Sequence, residues 1–164
     1  MVRSLGLIIV IVAVTLIFVP GLLHPSKSQQ FPAVNYSDDA AGFRQVTGEA
    51  ALTPQPVPSG WKANAEDLTG PAAAEHLHIG FAVPGAQYAG LEEGVAPPTT
   101  FARSVLGASG AIPVDHVTLG GVQWQVSNSS RGEYSLRRTV HGVTVIVTGS
   151  ATVRQLQTLA SSLR

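Results

Sequence analysis

The chain has no cysteine, and only 12% of its 164 residues are charged. Without cysteine it can form no disulfide, carries no thiol nucleophile and lacks the residue that lipoprotein processing requires. Lysine and arginine together number 10, as do aspartate and glutamate, so the formal net charge is +0. This neutrality removes the usual electrostatic argument for nucleic acid as a partner. A folded domain of this chain must be stabilised by its core alone.

Charge is absent altogether from residues 5–23, a run of 19 positions that begins LGLIIVIVAV. As a helix the run would span roughly 28 Å, close to the ~30 Å hydrocarbon core of a bilayer. A cleaved secretory signal is the alternative, but the run exceeds the ~7–15 apolar residues of such signals and no A-x-A site follows it. Arg3 precedes the run, which favours a cytoplasmic N-terminus. We therefore predict a transmembrane anchor at 1–23, a tether at 24–33 and an extracytoplasmic α+β domain at 34–164.

Alternating apolar residues and turn signals predict an antiparallel sheet in that domain. In residues 76–83 (HLHIGFAV) every second side chain is apolar and large, and Pro84-Gly85 follows as a turn. Gly120-Gly121 and His141-Gly142 each separate two strand-like segments, as in tight hairpins. The segment TVIVT after the second hairpin turn is β-branched throughout, and it is the strongest strand prediction in the chain.

Capping residues and helical periodicity predict three helices. Ser37 is expected to cap the first, and Pro97-Pro98 to precede a second that ends at Gly107. Thr152 and Gln155 form a capping box for the last. The residues expected to meet in the core beneath this last helix are Val143, Val145, Val147, Leu156, Leu159 and Leu163. The predicted fold class is α+β, with an N-terminal transmembrane helix followed by an antiparallel sheet covered on one face by two or three helices.

Several short motifs follow one another in a fixed order along the chain. Ser59-Gly60-Trp61 follows a proline-rich segment, and residues 78–92 read H-I-G-F-x-x-P-x-x-Q-Y-A-x-L-E. V-L-G ends at Gly107, G-V-x-W spans 121–124, and G-V-T-V-I-V-T-G precedes the final helix. With the apolar N-terminus, this set resembles a family of actinobacterial single-pass membrane proteins known only as a domain of unknown function. The resemblance implies a membrane-anchored, envelope-facing domain, and it implies no activity, cofactor or catalytic residue.

The final strand-glycine-helix unit is also similar to the C-terminal unit of some bacterial anti-sigma and envelope-stress sensor domains. Short hairpin-to-helix units recur in many folds, so this second likeness carries no function.

The pair His76-x-His78 is the sharpest candidate for chemistry. Period two places both imidazoles on one strand face, where they could share a metal ion with Glu92 or Glu93 of the neighbouring strand. In the opposing interpretation, the apolar residues between the histidines define the buried face and both imidazoles meet solvent. Glu92 and Glu93 would then form a solvated hairpin end. An H-x-H pair is a weak signal, so no metal and no cofactor are assigned.

Two further sets of residues are candidates for function. Asp115 and His116 are neighbours in a strand, so their side chains should diverge, and the chain has no G-x-S-x-G elbow. A sheet face holding Trp124, Tyr134 and Arg137 would suit recognition of a partner, although Trp124 could equally belong to the core.

The leading functional prediction is a non-enzymatic envelope module that binds a partner or ligand, or serves as an accessory subunit of a membrane complex. Its partners would be membrane lipid, through the N-terminal helix, and a membrane or envelope protein. One alternative is a metal-dependent or hydrolytic envelope enzyme that uses His76, His78 and Glu92. Another is a ligand or stress sensor that signals through a membrane partner.

Overall fold

The structure, a computed structural model, describes residues 33–71 and 74–164. Three helices and seven strands make up this part of the chain. The helices are α1 (Ser37–Thr47), α2 (Pro98–Gly110) and α3 (Val153–Ser162). The strands are β1 (Lys62–Thr69), β2 (His76–Val83), β3 (Gln87–Gly94), β4 (Asp115–Leu119), β5 (Val122–Asn128), β6 (Tyr134–Val140) and β7 (Val143–Thr148).

The seven strands form one antiparallel sheet in the order β1-β2-β3-β7-β6-β5-β4. The predicted hairpin turns at Gly120-Gly121 and His141-Gly142 are confirmed, since they join β4 to β5 and β6 to β7. The β-branched strand β7 lies at the centre of the sheet, and every one of its residues is buried. The strand β1 was not predicted as a separate strand, because KANAEDLT lacks a regular alternation of apolar residues.

One face of the sheet carries the main core, and we refer to it as the first face. The residues predicted to meet under the last helix are confirmed there: Val143, Val145, Val147, Leu156, Leu159 and Leu163 are all buried in one cluster. The predicted capping box of α3 is also confirmed, because the Thr152 side chain accepts from the Gln155 N–H and the Gln155 side chain accepts from the Thr152 N–H. Phe43 of α1 joins the same cluster. Helices α1 and α3 therefore both cover the first face.

Helix α2 lies on the opposite, second face. Its residues Phe101, Ala102 and Leu106 pack against Ile146 of β7, whose side chain points away from those of Val145 and Val147. The prediction that the helices cover one face only is therefore wrong. The reason is that β7 is apolar on both sides, and a strand pattern does not say which helix covers which side.

Two details of the helix ends differ from the predictions. Ser37 is the first residue of α1 rather than its cap, and the side chain of Asn35 accepts hydrogen bonds from both the N–H and the hydroxyl of Ser37. Gly107 does interrupt α2, with φ of 80° and ψ of 178°, but helical structure continues to Gly110. At the start of α1, Asn35 lies two positions before Ser37 and provides the same kind of hydrogen-bond acceptor that was predicted for the Ser37 side chain.

The predicted anchor at 1–23 and residues 24–32 of the predicted tether lie outside the described residues. Of the helices in residues 33–71 and 74–164, none has the length and apolar character needed to cross a bilayer.

Candidate functional site: an imidazole–carboxylate cluster beside helix α2

A single row of directly paired residues crosses the second face from one edge of the sheet to the other. On the inner strands its members alternate with buried first-face residues, and most of the row is polar. In strand order the row is Asp67, His78, Glu92, Ile146, Arg137, Gln125 and His116. Because α2 packs on Ile146 in the middle, it divides the polar residues into two groups. The candidate residues His76, His78 and Glu92 lie in the group formed by β1, β2 and β3.

Glu92 holds the two histidines of that group together. One carboxylate oxygen, Oε2, is 2.7 Å from Nε2 of His76, and the other, Oε1, is 2.7 Å from Nδ1 of His78. Glu92 is only 8% exposed, whereas the side chains of His76 and His78 are 33% and 26% exposed. The structure thus brings His76, His78 and Glu92 together. The imidazoles neither simply meet solvent nor stand apart, since each bonds to one oxygen of the same buried carboxylate.

Tyr88 extends this network, and the sequence did not point to it as a site residue. Its hydroxyl is 2.9 Å from Nε2 of His78, on the side of the ring away from Glu92. The tyrosine ring reaches this position by lying over Gly80, where a Cβ would come within 2.7 Å of the hydroxyl oxygen. The directly paired residue on β3 is Gly90, so two facing glycines leave room for the ring. The sequence carries one signal for this contact. Gly80 and Tyr88 lie close to each other across a tight hairpin, and a glycine there leaves space for the tyrosine ring.

Phe101 of α2 closes the other side of the cluster. Its ring meets that of His76 edge to face, with centroids 5.1 Å apart. It also lies on Gly94, the residue paired with His76, where any Cβ would overlap the ring. Between α2 and strands β1 to β3 an open cavity of about 330 Å³ remains, lined by Asp67, His76, His78, Glu92, Ser104 and Val105.

The electrostatics of the cluster favour an ionised Glu92. Burial raises the pKa of Glu92, but the hydrogen bonds from His76 and His78 outweigh burial, so the pKa lies below its usual value. The hydrogen bond to Glu92 raises the pKa of His78, against the opposing effect of burial. Burial raises the pKa of Tyr88 to about 12, and the charge of Glu92 adds to that effect. At neutral pH, Tyr88 is therefore a neutral phenol and Glu92 a carboxylate.

The prediction that Glu92 and Glu93 form a solvated hairpin end is wrong, because both are buried. Their side chains do diverge, as expected for strand neighbours. Glu93 points into the first face, where both of its oxygens accept from the N–H of Leu52 at 2.9 and 3.0 Å. Burial raises the pKa of Glu93 to about 8, although the Leu52 N–H and the charge of Arg138 act in the opposite direction.

The three residues proposed as an interaction surface do not share a face. Trp124 is 1% exposed in the first-face core, where the guanidinium of Arg138 lies 4.7 Å from its ring centroid, and Tyr134 packs against the same core. Arg137 lies on the second face. Its side chain donates from Nε and Nη2 to Gln125 Oε1 and from Nη1 to the carbonyl of Ala111. The prediction that the three residues form one surface is therefore wrong. Arg137 pairs directly with Gln125, whose side chain points to the face opposite that of its neighbour Trp124.

Residues 33–71 and 74–164 contain no group of three His, Cys, Asp or Glu side chains arranged to hold a metal ion. The nitrogens of His76 and His78 that face Glu92 are at hydrogen-bond distance from its oxygens, so a metal would have to replace those bonds. Asp115 and His116 diverge as predicted: Asp115 accepts from the backbone N–H of His116, and the imidazole belongs to the second-face row.

The described residues thus form an α+β domain with a carboxylate-centred histidine cluster beside α2. The chain belongs to the DUF4245 family of proteins of unknown function, whose family model matches residues 1–163. No curated protein and no solved structure matches it. The resemblance to a family defined only as a domain of unknown function is confirmed to that extent. The match carries no information on an actinobacterial source or on the likeness to anti-sigma domains.

Proposed function

We propose that the chain is a single-pass membrane protein whose α+β domain lies outside the cytoplasm and works as a binding module for a membrane or envelope partner. The anchoring part rests on the uncharged run at residues 5–23. The balanced charge argues against nucleic acid as the partner.

One observation supports the binding role: the second face is only partly covered. The first face carries both α1 and α3, although a cavity of about 250 Å³ remains there beside Val143 and Val145, whereas α2 alone lies on the second face and leaves polar cavities on both sides of it. The cavity near β6 has a volume of about 260 Å³ and is lined by His116, Gln123, Gln125, Arg137, Arg138 and Thr139. Concave sites with a few convergent polar groups are where proteins bind ligands and partner side chains.

An envelope enzyme that uses His76, His78 and Glu92 is the second candidate. The observation in its favour is the hydroxyl–imidazole–carboxylate chain from Tyr88 through His78 to Glu92. Against it, the Tyr88 phenol stays protonated, with its pKa at about 12, and it occupies the His78 nitrogen that would otherwise act as a base. A sensor that signals through a membrane partner would use the same binding face.

Photo-crosslinking in cells tests the binding face. Benzoylphenylalanine placed at Thr139, an exposed second-face residue of β6, should crosslink the full-length chain to a membrane or envelope protein. The matched control is Thr158, an exposed threonine of α3, on the covered side of the sheet. Adducts that form equally from both positions, or from neither, would refute the second face as the binding surface.

The absence of cysteine allows a clean test of topology. In separate variants, Ser161→Cys and Ser4→Cys provide the only thiol in the chain. A membrane-impermeant maleimide should label Cys at 161 in intact cells and Cys at 4 only after lysis. Labelling in the reverse pattern, or an intact mass that lacks the first 20 to 30 residues (about the length of a cleaved signal), would exclude the proposed anchor.

A further inference from the structure

The cavity beside α2 presents hydrogen-bond acceptors toward its interior. Glu92 is ionised and receives a hydrogen bond from each imidazole, so His76 donates from Nε2 and His78 from Nδ1. The other nitrogen of the His78 ring is already bonded to the Tyr88 hydroxyl. In the tautomer of neutral His76 that donates from Nε2, the other nitrogen, Nδ1, carries a lone pair and can only accept.

The remaining lining groups have the same character. Asp67 contributes an exposed carboxylate from β1, directly across from His78. The Ser104 hydroxyl donates its hydrogen to the carbonyl of Phe101 at 2.8 Å, which leaves its oxygen as an acceptor. Val105 adds an apolar wall. The cavity thus combines several acceptors, an exposed carboxylate and a patch that suits hydrocarbon.

From this arrangement we infer that the cavity beside α2 binds an alkylammonium group, supplied by a small amine or by a lysine side chain of a partner. The inference rests on the proposed binding role of the second face and names its ligand. An ammonium has three N–H donors and one positive charge, so it can bond to Asp67, His76 and Ser104 while its alkyl chain lies on Val105. It leaves the two hydrogen bonds of Glu92 intact, whereas a metal ion would have to displace them.

Histidine-ring NMR on the full-length chain in detergent micelles tests the assignment. Of the 5 histidines, His116 and His141 are exposed elsewhere and serve as internal references. Butylammonium should shift the ring signals of His76 and His78 saturably, with a dissociation constant of order 1 mM, and leave the references unmoved. Tetramethylammonium has the same charge but no N–H donor, so it should produce no such shift.

A matched pair of variants on β1 isolates the carboxylate. Asp67→Asn should weaken butylammonium binding by about tenfold. Glu66→Gln removes the same charge from the adjacent residue, whose side chain points to the other face, and should leave binding unchanged. The inference is overturned if butylammonium produces no saturable shift, if tetramethylammonium binds equally well, or if Asp67→Asn has no effect.

A second titration distinguishes a small free amine from a partner's lysine as the source of the ammonium. Nα-acetyl-lysine methylamide presents only a side-chain ammonium, and binding comparable to that of butylammonium would assign the site to a partner's lysine. If butylammonium binds and the lysine derivative does not, the site binds a small free amine. The crosslinking from Thr139 does not depend on the amine, so loss of amine binding with crosslinking retained refutes the ligand class and leaves the binding face standing.

Discussion

The buried acid Glu93 makes the stability of the domain depend on pH in an unusual direction. Its carboxyl group is fully buried on the first face, and burial raises its pKa from the ordinary 4.5 to about 8. Between these values the unfolded chain loses the proton while the folded chain keeps it. The folded state therefore binds more protons, and the free energy of unfolding falls as pH rises from about 4.5 to about 8. The contribution is fully present below pH 4.5 and lost above pH 8.

The size of this effect follows from the pKa difference. At about 1.4 kcal/mol per pKa unit, the interval from 4.5 to about 8 corresponds to roughly 5 kcal/mol. This figure is an upper bound, because small movements of Leu52 and Arg138 toward the charge would reduce it. Even half of it would be a large part of the ~5–15 kcal/mol that stabilises a domain of ordinary size.

The variant Glu93→Gln isolates this group from the other ionisable groups of the chain. The amide oxygen of glutamine can still accept from the N–H of Leu52, but it cannot ionise. Chemical unfolding of the full-length chain, repeated from pH 4.5 to pH 8.5, should give Glu93→Gln a growing advantage over the unsubstituted chain as pH rises. The exposed Glu66→Gln provides the charge-matched control. If instead the unsubstituted chain gains stability over Glu93→Gln with rising pH, Glu93 is an ionised partner of Arg138, and the reasoning fails.

Four further predictions concern the packing and the site. Leu159→Ala empties a fully buried position of α3 and should lower the free energy of unfolding by about 2–5 kcal/mol in denaturant titrations. The control Thr158→Ala changes the exposed neighbouring residue and should cost less than about 1 kcal/mol. Equal effects would mean that α3 is not part of the core. Gly80→Ala should displace Tyr88 and lower the melting temperature, because the added Cβ would overlap the tyrosine ring and crowd Ala65. The Tyr88 pKa, followed by ultraviolet titration, should fall from about 12 toward its ordinary value; an unchanged titration would contradict the close approach. Replacing both histidines of the cluster with alanine should lower the melting temperature, because the buried Glu92 carboxylate loses both donors. Zinc should not raise the melting temperature of the unsubstituted chain; a rise that the double variant abolishes would restore the metal interpretation.

Local patterns predicted the frame of the fold because each depends on neighbours in the sequence. The capping box at Thr152, the turn at His141-Gly142 and the β-branched strand between them are confirmed. Strand β1 was missed because its residues do not alternate regularly, and its place at the sheet edge depends on pairing with β2. The side of the sheet that α2 covers was also missed, since it is decided by Ile146, a residue 36 positions beyond the end of α2 at Gly110.

The sequence predicted only those features of the site that follow from the alternation of side chains along a strand. Alternation placed His76 and His78 on one face, and the hairpin left either Glu92 or Glu93 as their neighbour; the strand register decides for Glu92. Alternation could not show that Tyr88 lies over Gly80, because that contact requires a side chain to cross from one strand to the next. Nor could it show that Trp124 and Arg137 point to opposite faces, since the relative register of β5 and β6 decides this.

Glu92 and Glu93 show why adjacent identical residues need their cross-strand partners before a role is assigned. Both side chains are buried, yet the pKa of Glu92 is lowered and that of Glu93 is raised to about 8. The difference lies in the donors: two imidazoles face Glu92 across β2 and β3, whereas one backbone N–H faces Glu93. At neutral pH, Glu92 therefore carries a charge beside an open cavity, and Glu93 is mostly a neutral acid in the core. On this chain, then, the second face holds a buried charge that two histidines satisfy beside an open cavity, and the first face holds a structural acid whose protonation affects how stable the domain is.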